Sequence, residues 1–447
     1  MGGNMEVRDQ EAVAKLQALV RIPTVSYTDE DLIDAAAFDA LHTELEISFP
    51  LLHQRLERTR VGTHSLLFRW PGRSDERPIV LMAHQDVVPV DGSMPWTHPA
   101  FAGVIEDGVL WGRGTLDDKG ALVGICEAVE RLLAEGFVPA HDIWLSFGAR
   151  EEVSGPDAEA AVQALEHRGV RPWLVVDEGG AVATGAFPGV TAPLGVVGIG
   201  EKGTTSLLLR AEGRGGHSST PRPNGPTARI ARAVVRLEKH QFPPRLTKPV
   251  IELFTRLAPQ LPAPVRPLLT NAERLRAVLP RVITLLGPEA ASMVRTSIAV
   301  TQLSGSPAQN VIASSATATV NLRIAPGDTV ASSIAHVRRA IDDKDMTIDV
   351  IDANEPSPIS RIDDEGYALM ESTISATFPE AVVTPYLMMA ATDSRFFTRI
   401  CDRVFRFAPF LMSKEQRESI HSFDERIGVD DFVRGIGWYR RLIEQHR

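Results

Sequence analysis

Histidines and carboxylates recur in this chain in short motifs that follow apolar runs. The first motif is VLMAHQDVVPV, in which His84 and Asp86 lie two residues apart and therefore share one face of an extended strand. A histidine that binds a metal usually donates its other ring N–H to a carboxylate, and this pair supplies both groups. Taken alone, the motif is as typical of a hydrogen-bonded structural pair as of a metal site.

The second motif, LWGRGTLDDKGALVG, places two acidic residues in a glycine-rich turn that leads into a helix. Its glycines do not follow the GxGxxG order, and paired acids at a helix start would repel a phosphate. Asp117 and Asp118 are therefore either simple charges at a helix N-terminus or metal ligands. One carboxylate can bridge two metal ions with its two oxygens.

Three further motifs add acids and a late histidine. Glu151 and Glu152 in SFGAREEVSG would point to opposite faces of a strand, so a turn must bring both to one site. Such a pair can divide into a base and a metal ligand. Asp177 ends the run VVDEGG, and His421 lies in ESIHSFDERIGV. Oxygen and nitrogen ligands without thiolate suit zinc at a hydrolytic site, with cobalt or manganese as substitutes.

Alternating strands and helices must position these groups. The runs RPIVLMAH, HDIWLSFGA and WLVVDEGG predict buried strands, and DKGALVGICEAVERLLAEG and DAEAAVQALEHRG predict helices between them. This alternation predicts an α/β fold with a central mixed sheet and helices on both faces. We assign residues 1–197 and 351–447 to this α/β domain. Residues 198–350 are predicted to form an inserted α+β domain.

Prolines interrupt short amphipathic helices in residues 242–297 of the predicted insert. One interpretation is additional helical packing or a subunit interface. The other is an apolar lid over a greasy substrate. The sequence alone does not separate the two interpretations.

Composition and charge limit the classes of function. The net charge of −10 argues against nucleic acid or an anionic membrane as the partner. No apolar run approaches the length of a membrane span, and the charged N-terminal segment is not typical of a signal peptide, so we expect a cytoplasmic protein. The two cysteines, Cys126 and Cys401, provide neither a thiolate metal site nor a disulfide framework.

Taken together, the motifs resemble those of the two-metal aminoacylase and carboxypeptidase family, which includes carnosinases, glutamate carboxypeptidases and succinyl-diaminopimelate desuccinylases. The matching motifs are MAHQDVVPV, GRGTLDDKG, the EE pair of AREEVSG, the acid of VVDEGG, GRGGHSSTP and the late IH. They occur in the family's order, and the resemblance covers nearly the whole chain. The stretches NVIASSATATVNLRIAPGDT and ATDSRFF are most similar to the Gly-Xaa carboxypeptidase and N-fatty-acyl-amino-acid hydrolase branch.

The resemblance implies two zinc ions in each chain. His84 and Asp177 would hold one ion, and Glu152 and His421 would hold the other. Asp117 would bridge them. It also implies a zinc-peptidase-like catalytic domain, with the insert acting as a lid or as the surface of a homodimer.

The resemblance further implies three catalytic roles. Glu151 would be the general base and then the general acid, and Asp86 would orient His84. His217, in RGGHSSTP, would stabilise the oxyanion, often across a dimer. Alternatively, His217 lies in an exposed turn without a role. The nine other histidines lack such motifs, and we expect them in solvated or structural positions.

Substrate-binding residues are implied in two regions. Asn310 and Arg323 lie in the insert, and the planar guanidinium of Arg323 could bind a substrate carboxylate. Its alternative is a salt bridge on the surface of a strand. Thr392, Ser394 and Arg395, in ATDSRFF, would line the carboxylate end of the site.

The predicted function is hydrolysis of an amide bond adjacent to a free carboxylate in a small molecule, by water bound to metal. An N-acyl amino acid or a small apolar peptide is favoured over a Gly-Xaa dipeptide. Two other classes are a catalytically silent binding protein on the same fold and a nucleotide-dependent α/β enzyme. The second of these lacks both a phosphate loop and a dinucleotide fingerprint.

Overall fold

The computed structural model describes residues 2–447, in which helices and strands alternate along most of the chain. The strands of these residues are β1 (Glu57–Val61), β2 (Ser65–Trp70), β3 (Ser74–His84), β4 (Val104–Glu106), β5 (Val109–Trp111), β6 (His141–Gly148), β7 (Leu174–Asp177), β8 (Ala181–Ala183), β9 (Leu194–Glu201), β10 (Gly203–Glu212), β11 (Gly216–His217), β12 (Ser297–Ser304), β13 (Val311–Ile312), β14 (Ser315–Ile324), β15 (Thr347–Asn354), β16 (Val382–Met388), β17 (Val404–Arg406), β18 (Leu411–Met412) and β19 (Arg426–Gly428). The α-helices are α1 (Gly2–Val20), α2 (Ala35–Ser48), α3 (Pro50–Arg55), α4 (Lys119–Ala134), α5 (Asp157–His167), α6 (Pro226–Lys239), α7 (Lys248–Leu257), α8 (Arg266–Thr270), α9 (Leu279–Ile283), α10 (Pro288–Met293), α11 (Val330–Ile341), α12 (Glu365–Thr377), α13 (Ser394–Phe397), α14 (Lys414–Ser419) and α15 (Val429–Gln445).

A ten-stranded mixed sheet forms the centre of the molecule, in the order β1-β2-β6-β3-β7-β17-β9-β8-β18, with β16 also paired to β9. Strand β3 pairs in parallel with both β6 and β7, and β17 runs parallel to β7. The carboxyl ends of neighbouring parallel strands meet at one edge of a sheet. The residues that follow β3, β6 and β7 therefore converge.

Apolar side chains of β3 alternate between the two faces of this sheet. Ile79 and Leu81 belong to the core formed with α1, α4 and α15, whereas Val80 and Met82 belong to the core formed with α5 and α13. Such alternation follows from the two-residue period of a strand, and helices on both faces bury both sets. The predicted α/β fold with a central mixed sheet is confirmed.

A second, antiparallel sheet has the strand order β12-β14-β10-β15. Its buried face packs against α6 and α11 through residues such as Leu209, Val320 and Val337. The sheet begins at Gly203 and ends at Asn354, where the chain returns to the central sheet. It therefore forms one continuous insertion between β9 and β16.

Helices α7 to α10 all lie within the proline-rich stretch 242–297. Leu253 and Phe254 of α7 belong to an apolar core with Val190 and Leu194. Helix α7 also packs against β16 of the central sheet. The stretch is therefore packed onto the central sheet as well as connected to the four-stranded sheet. No helix within residues 2–447 is long and apolar enough to cross a membrane.

Candidate active site

Three neighbouring strands bring a histidine and three glutamates to one edge of the sheet. His84 is the last residue of β3, and Glu178 directly follows β7. Glu151 and Glu152 lie in a 3-10 turn that begins three residues after β6. This turn lets both glutamates face one cavity, as the sequence required.

Asp86 fixes the position of the two glutamates. Its fully buried carboxylate accepts hydrogen bonds from the Ser26 hydroxyl at 2.6 Å and from the backbone N–H groups of Glu151 and Glu152 at 3.2 Å each. The same residue lies beside the His84 ring, whose Nδ1 is 2.9 Å from the Asp86 carbonyl oxygen and 3.5 Å from its carboxylate. Asp86 therefore orients the imidazole and the glutamate turn together.

Asp117 lies between the two predicted metal-binding histidines. Its Oδ1 is 2.8 Å from Nε2 of His84, and its Oδ2 is 2.9 Å from Nε2 of His421. Glu152 Oε2 is 2.9 Å from the same nitrogen of His421, and Glu178 Oε1 is 3.6 Å from Nε2 of His84. The groups thus form two adjacent half-sites that share one carboxylate, the arrangement required for a bridged pair of ions.

A buried glutamate that the sequence analysis did not single out holds the Asp117 turn. The Oε1 atom of Glu425 accepts hydrogen bonds from the backbone N–H groups of Gly114, Leu116 and Asp117 at 3.0, 2.9 and 3.1 Å. Arg113 compensates its charge at 2.6 Å. The peptide bond between Asp117 and the next residue is cis. Glu425 lies four residues after His421, in the HSFDER stretch. Its closeness to the predicted histidine ligand is the sequence feature that could have indicated it.

The buried oxygens of the cluster fit a set of cations. Among the described residues, Asp118 Oδ1 and Glu152 Oε1 are buried without a hydrogen-bond partner, which is costly unless a cation supplies the missing contact. Ligand atoms of His84, Asp118 and Glu178 lie within 4.8 Å of one another, as do those of His84, Asp117 and Glu152. Such clustering of imidazole and carboxylate groups is typical of zinc, cobalt or manganese sites.

The carboxylates of the cluster are buried close together, and this raises the pKa values of several groups in it. Burial and the charge of Asp117 raise the pKa of Glu178 to about 8. Burial and the charge of Glu178 raise the pKa of Glu151 well above its usual range. Hydrogen bonds to Asp117 and Glu152 raise the pKa of His421 to about 10. The cluster therefore attracts positive charge strongly, as a metal site must.

The structure does not bring Asp177, the predicted ligand, to His84. The Asp177 carboxylate accepts a hydrogen bond from the backbone N–H of Ser394 at 2.9 Å. The adjacent Glu178 is the acid that lies beside His84, at 3.6 Å. Neighbouring residues of an extended chain point to opposite faces, which favours Glu178 over Asp177 as the partner of His84, and the role of Asp177 stays a prediction.

Thr392 and Ser394, in ATDSRFF, form their hydrogen bonds mainly with each other and with Glu201 and Asp177. Thr392 and Ser394 hydrogen-bond to each other at 2.7 Å, and Thr392 donates to Glu201 at 2.7 Å. Glu201 is itself a buried ion-pair partner of Arg406 at 2.7 Å. The guanidinium of Arg395 lies over the Phe396 ring, 4.7 Å from its centroid. Of the three predicted residues here, Thr392 lines the cavity.

A cavity of about 380 Å³ opens beside the carboxylates. The described residues that line it are Leu116, Asp117, Glu151, Glu152, Glu178, Gly179, Gly180, Ala181, Met388, Ala390, Ala391, Thr392, Ala408, Met412, Arg417, Ile420 and His421. Arg417 is the one arginine or lysine among them. Its guanidinium donates to the carbonyl oxygens of Met412 at 2.8 Å and Thr184 at 3.0 Å, and no carboxylate of residues 7–447 forms an ion pair with it. No local pattern in the sequence indicated this residue.

The predicted residues of the insert do not line this cavity in the described chain. His217 and Asn310 lie together at an exposed two-stranded ribbon, where β11 pairs with β13 and the Ser218 N–H donates to the Asn310 carbonyl oxygen at 3.1 Å. The His217 Nδ1 atom accepts a hydrogen bond from Ser219. Arg323 lies in β14, between Thr204 of β10 and a residue of β12.

Comparison with known proteins identifies the class that this fold and cluster define. The family model of peptidase family M20/M25/M40 matches residues 80–445, and the chain belongs to that family. It is 34% identical over 443 residues to a probable carboxypeptidase S-like 2 of Dictyostelium discoideum, covering 98% of this chain and 85% of that protein. It is 32% identical over 445 residues to the human N-fatty-acyl-amino acid synthase/hydrolase PM20D1, covering 97% and 88%.

A solved structure supports the fold assignment. The M20 family metallo-carboxypeptidase Sso-CP2 from Sulfolobus solfataricus superimposes with a TM-score of 0.70 at 17% identity, covering 97% of this chain and 99% of that chain. The predicted family resemblance is confirmed. The protein is a metal-binding hydrolase of amide bonds, a metallopeptidase or amidohydrolase of carboxypeptidase or aminoacylase type.

Proposed function

We propose that this enzyme hydrolyses an amide bond adjacent to a free carboxylate in an N-acyl amino acid or a peptide with an apolar side chain. One observation carries the proposal. The cavity combines the paired half-sites, the free glutamate Glu151 and the unpaired cation Arg417. Its remaining wall is largely apolar, with Met388, Met412 and Ile420.

The residues that would hold two zinc ions are His84 and Glu178 on one side and His421 and Glu152 on the other, with Asp117 shared. Cobalt or manganese are alternative ions for the same ligand set. Two such ions, when bound, lower the pKa of a water molecule and polarise the scissile carbonyl. Asp118 would support the same ion as His84 and Glu178, because its Oδ2 accepts a hydrogen bond from the His84 backbone N–H at 3.2 Å and its Oδ1 has no hydrogen-bond partner.

Glu151 would move the proton. It lines the cavity beside the two half-sites, and its backbone N–H is fixed by the Asp86 carboxylate. It would accept a proton from the attacking water and donate it to the leaving amine. The adjacent Glu152 cannot take this role while its Oε2 contacts His421.

Arg417 would bind the substrate carboxylate. Two of its N–H groups are fixed by backbone carbonyl groups, and the others are free for a charge-assisted hydrogen bond. Arg417 is therefore a positive charge available to a substrate in a cavity that also contains four carboxylates. Within one chain, Arg417 lines the cavity and Arg323 does not, so Arg417 is the better candidate for binding the substrate carboxylate.

A homodimer through the inserted domain would give His217 and Asn310 a role. Both lie on the exposed ribbon of one chain, so a second chain could bring them to the cavity for oxyanion stabilisation. Similarity to the human N-fatty-acyl-amino acid synthase/hydrolase PM20D1 favours an acyl amino acid as substrate. A cytoplasmic location stays a prediction from the sequence.

Two alternatives stay open to experiment. A Gly-Xaa dipeptidase or carboxypeptidase would use the same ligands and the same base. A catalytically silent binding protein on this fold would bind its ligand equally well after Glu151→Gln. The carboxypeptidase S-like relative favours the first of these alternatives over the second.

The test is hydrolysis of N-oleoyl-phenylalanine and of Gly-Leu by the zinc-loaded protein, with and without a chelator. We expect chelator-sensitive release of phenylalanine that is faster than cleavage of the dipeptide. Glu151→Gln should lower kcat by about 10²–10⁴-fold while zinc stays bound. Cleavage of the dipeptide alone would select the alternative substrate, and a fully active Glu151→Gln enzyme would refute the mechanism.

A further inference from the structure

Part of the proline-rich stretch presents apolar side chains to solvent. We call residues 262–287 the exposed segment. It carries six of the eighteen large apolar side chains that are exposed in the described chain. They are Val265, Leu268, Val278, Val282, Leu285 and Leu286, and the last two are 84% and 74% exposed. A third of these side chains therefore lies in a short part of the chain, as a surface that binds a partner would require.

The opposite side of the exposed segment is firmly packed. Leu269, Leu279 and Ile283 belong to the apolar core that also contains Phe254 and Leu194. The exposed leucines and valines are thus displayed on an ordered support, and they are not the unburied remainder of a loose loop. One apolar face of these short helices is used by the fold, and the other has no cover within residues 2–447.

The charge of the exposed segment opposes that of the protein. It contains four arginines and one glutamate, a net charge of +3, whereas the whole chain carries −10. The arginines, all exposed, are Arg266, Arg274, Arg276 and Arg281. The overall acidity argued against an anionic membrane, but a bound surface responds to local charge, because charges beyond about 10 Å are screened at physiological salt. The local charge favours an anionic partner.

We propose that the exposed segment docks this enzyme onto the surface of a lipid bilayer that contains anionic phospholipids. Leucine and valine side chains would enter the boundary between head groups and acyl chains, and the arginines would contact the phosphates. A second copy of this chain is a poorer partner, since two segments of charge +3 would repel each other. Nucleic acid would leave the leucines exposed.

Docking does not depend on the proposed substrate and can be measured without turnover.

The test is co-sedimentation of the full chain with two kinds of vesicle, phosphatidylcholine alone and equal parts of phosphatidylcholine and phosphatidylglycerol. We expect binding to the mixed vesicles that weakens as salt increases, and at least tenfold weaker binding to phosphatidylcholine alone. Replacing Leu285 and Leu286 together by Ser should lower the partition coefficient on mixed vesicles at least tenfold. Replacing Arg274 and Arg281 together by Glu should remove the preference for phosphatidylglycerol.

The matched control replaces Val350 and Ile351 by Ser, an exposed apolar pair on β15, outside the exposed segment. This variant should bind as the unchanged protein does. Thermal unfolding of each variant, compared with that of the unchanged protein, checks that the fold is retained. Equal vesicle binding by the Leu285/Leu286 variant, or absence of binding by the unchanged protein, would overturn the proposal. If the unchanged protein does not bind vesicles but forms concentration-dependent dimers, and the Leu285/Leu286 variant does not form them, the surface serves self-association instead.

Discussion

Asp177 and Glu178 are adjacent in the chain, yet their carboxylates contact different parts of the structure. Asp177 accepts the Ser394 backbone N–H at 2.9 Å, whereas Glu178 lies 3.6 Å from His84 Nε2. One acid therefore joins two segments of the catalytic domain, and the other enters the cluster. The two roles can be separated by mutation.

Glu178→Ala should remove one of two bound zinc ions and lower kcat/KM by at least about a hundredfold, because it removes a ligand and not only a supporting contact. Metal content after desalting, measured together with activity, checks this. Asp177→Asn is the matched control: its amide oxygen can still accept the Ser394 N–H, so it should keep both ions, and loss of the acceptor's charge should cost about 1–2 kcal/mol of stability. Loss of metal in Asp177→Asn alone would restore the ligand assignment made from the sequence.

Arg417→Met should raise KM for an acyl amino acid by roughly 10–100-fold with little change in kcat, because a charge-assisted hydrogen bond contributes about 1.5–3 kcal/mol. The same substrate with a carboxamide in place of its carboxylate should be insensitive to this change. Arg323→Met tests the earlier candidate under the same conditions. If only Arg323→Met raises KM, the carboxylate is bound by the insert, and the Arg417 assignment is wrong.

Mixing two inactive variants tests the dimer. In cells that produce both His217→Ala and Glu151→Gln chains, random pairing should restore about a quarter of wild-type activity, since one site in each mixed dimer is then complete. Purification through two different tags isolates the mixed dimers. Glu151→Gln paired with Glu152→Ala should restore nothing, because both changes lie in the same chain's cluster. Full activity of His217→Ala alone would remove the basis for the dimer proposal.

His446 should make the protein less stable as the pH falls. Burial, together with the neighbouring charge of His141, lowers the pKa of His446 to about 4, although its hydrogen bond to the Arg77 carbonyl oxygen opposes this. The unfolded chain binds this proton near pH 6.5 and the folded chain near pH 4. Stability is therefore complete above pH 6.5 and falls by up to roughly 2–3 kcal/mol as the pH decreases toward 4.

The variant His446→Gln isolates this effect, because it can donate to the same carbonyl and does not titrate. Urea unfolding of both proteins, above pH 6.5 and midway between pH 6.5 and 4, gives the two free energies of unfolding. The difference between the proteins should depend on pH. Parallel pH profiles would show that His446 is not the group responsible.

The elements that carry the cluster could be predicted because their local patterns agree with their environment. The runs before His84 and Asp177 are apolar throughout, as strands buried on both faces must be, and they form β3 and β7. The helix after Asp118 has apolar residues around most of its surface and becomes the buried α4. Composition and periodicity thus report burial directly.

The direction in which a single side chain points could not be predicted in the same way. A shift of one residue at the end of β7 exchanges Asp177 for Glu178, and sequence patterns locate strand ends only within a few residues. Arg417 lies in the short helix α14, directly after β18, and its place in the cavity depends on contacts with Met412 and with the distant residue Thr184. Such contacts between distant segments leave no periodic pattern.

The insertion between β9 and β16 also determines the order in which the two domains can be completed during synthesis. The four-stranded sheet draws its strands from one continuous stretch, Gly203 to Asn354. The central sheet needs strands from both sides of that stretch, and α4 packs against α15, Val429–Gln445. On the ribosome, the insert can therefore fold first. The segments that carry His84, Asp117 and Glu152 must keep apolar surface exposed until the last helix has been made, which makes them the part of the nascent chain that most needs chaperone protection.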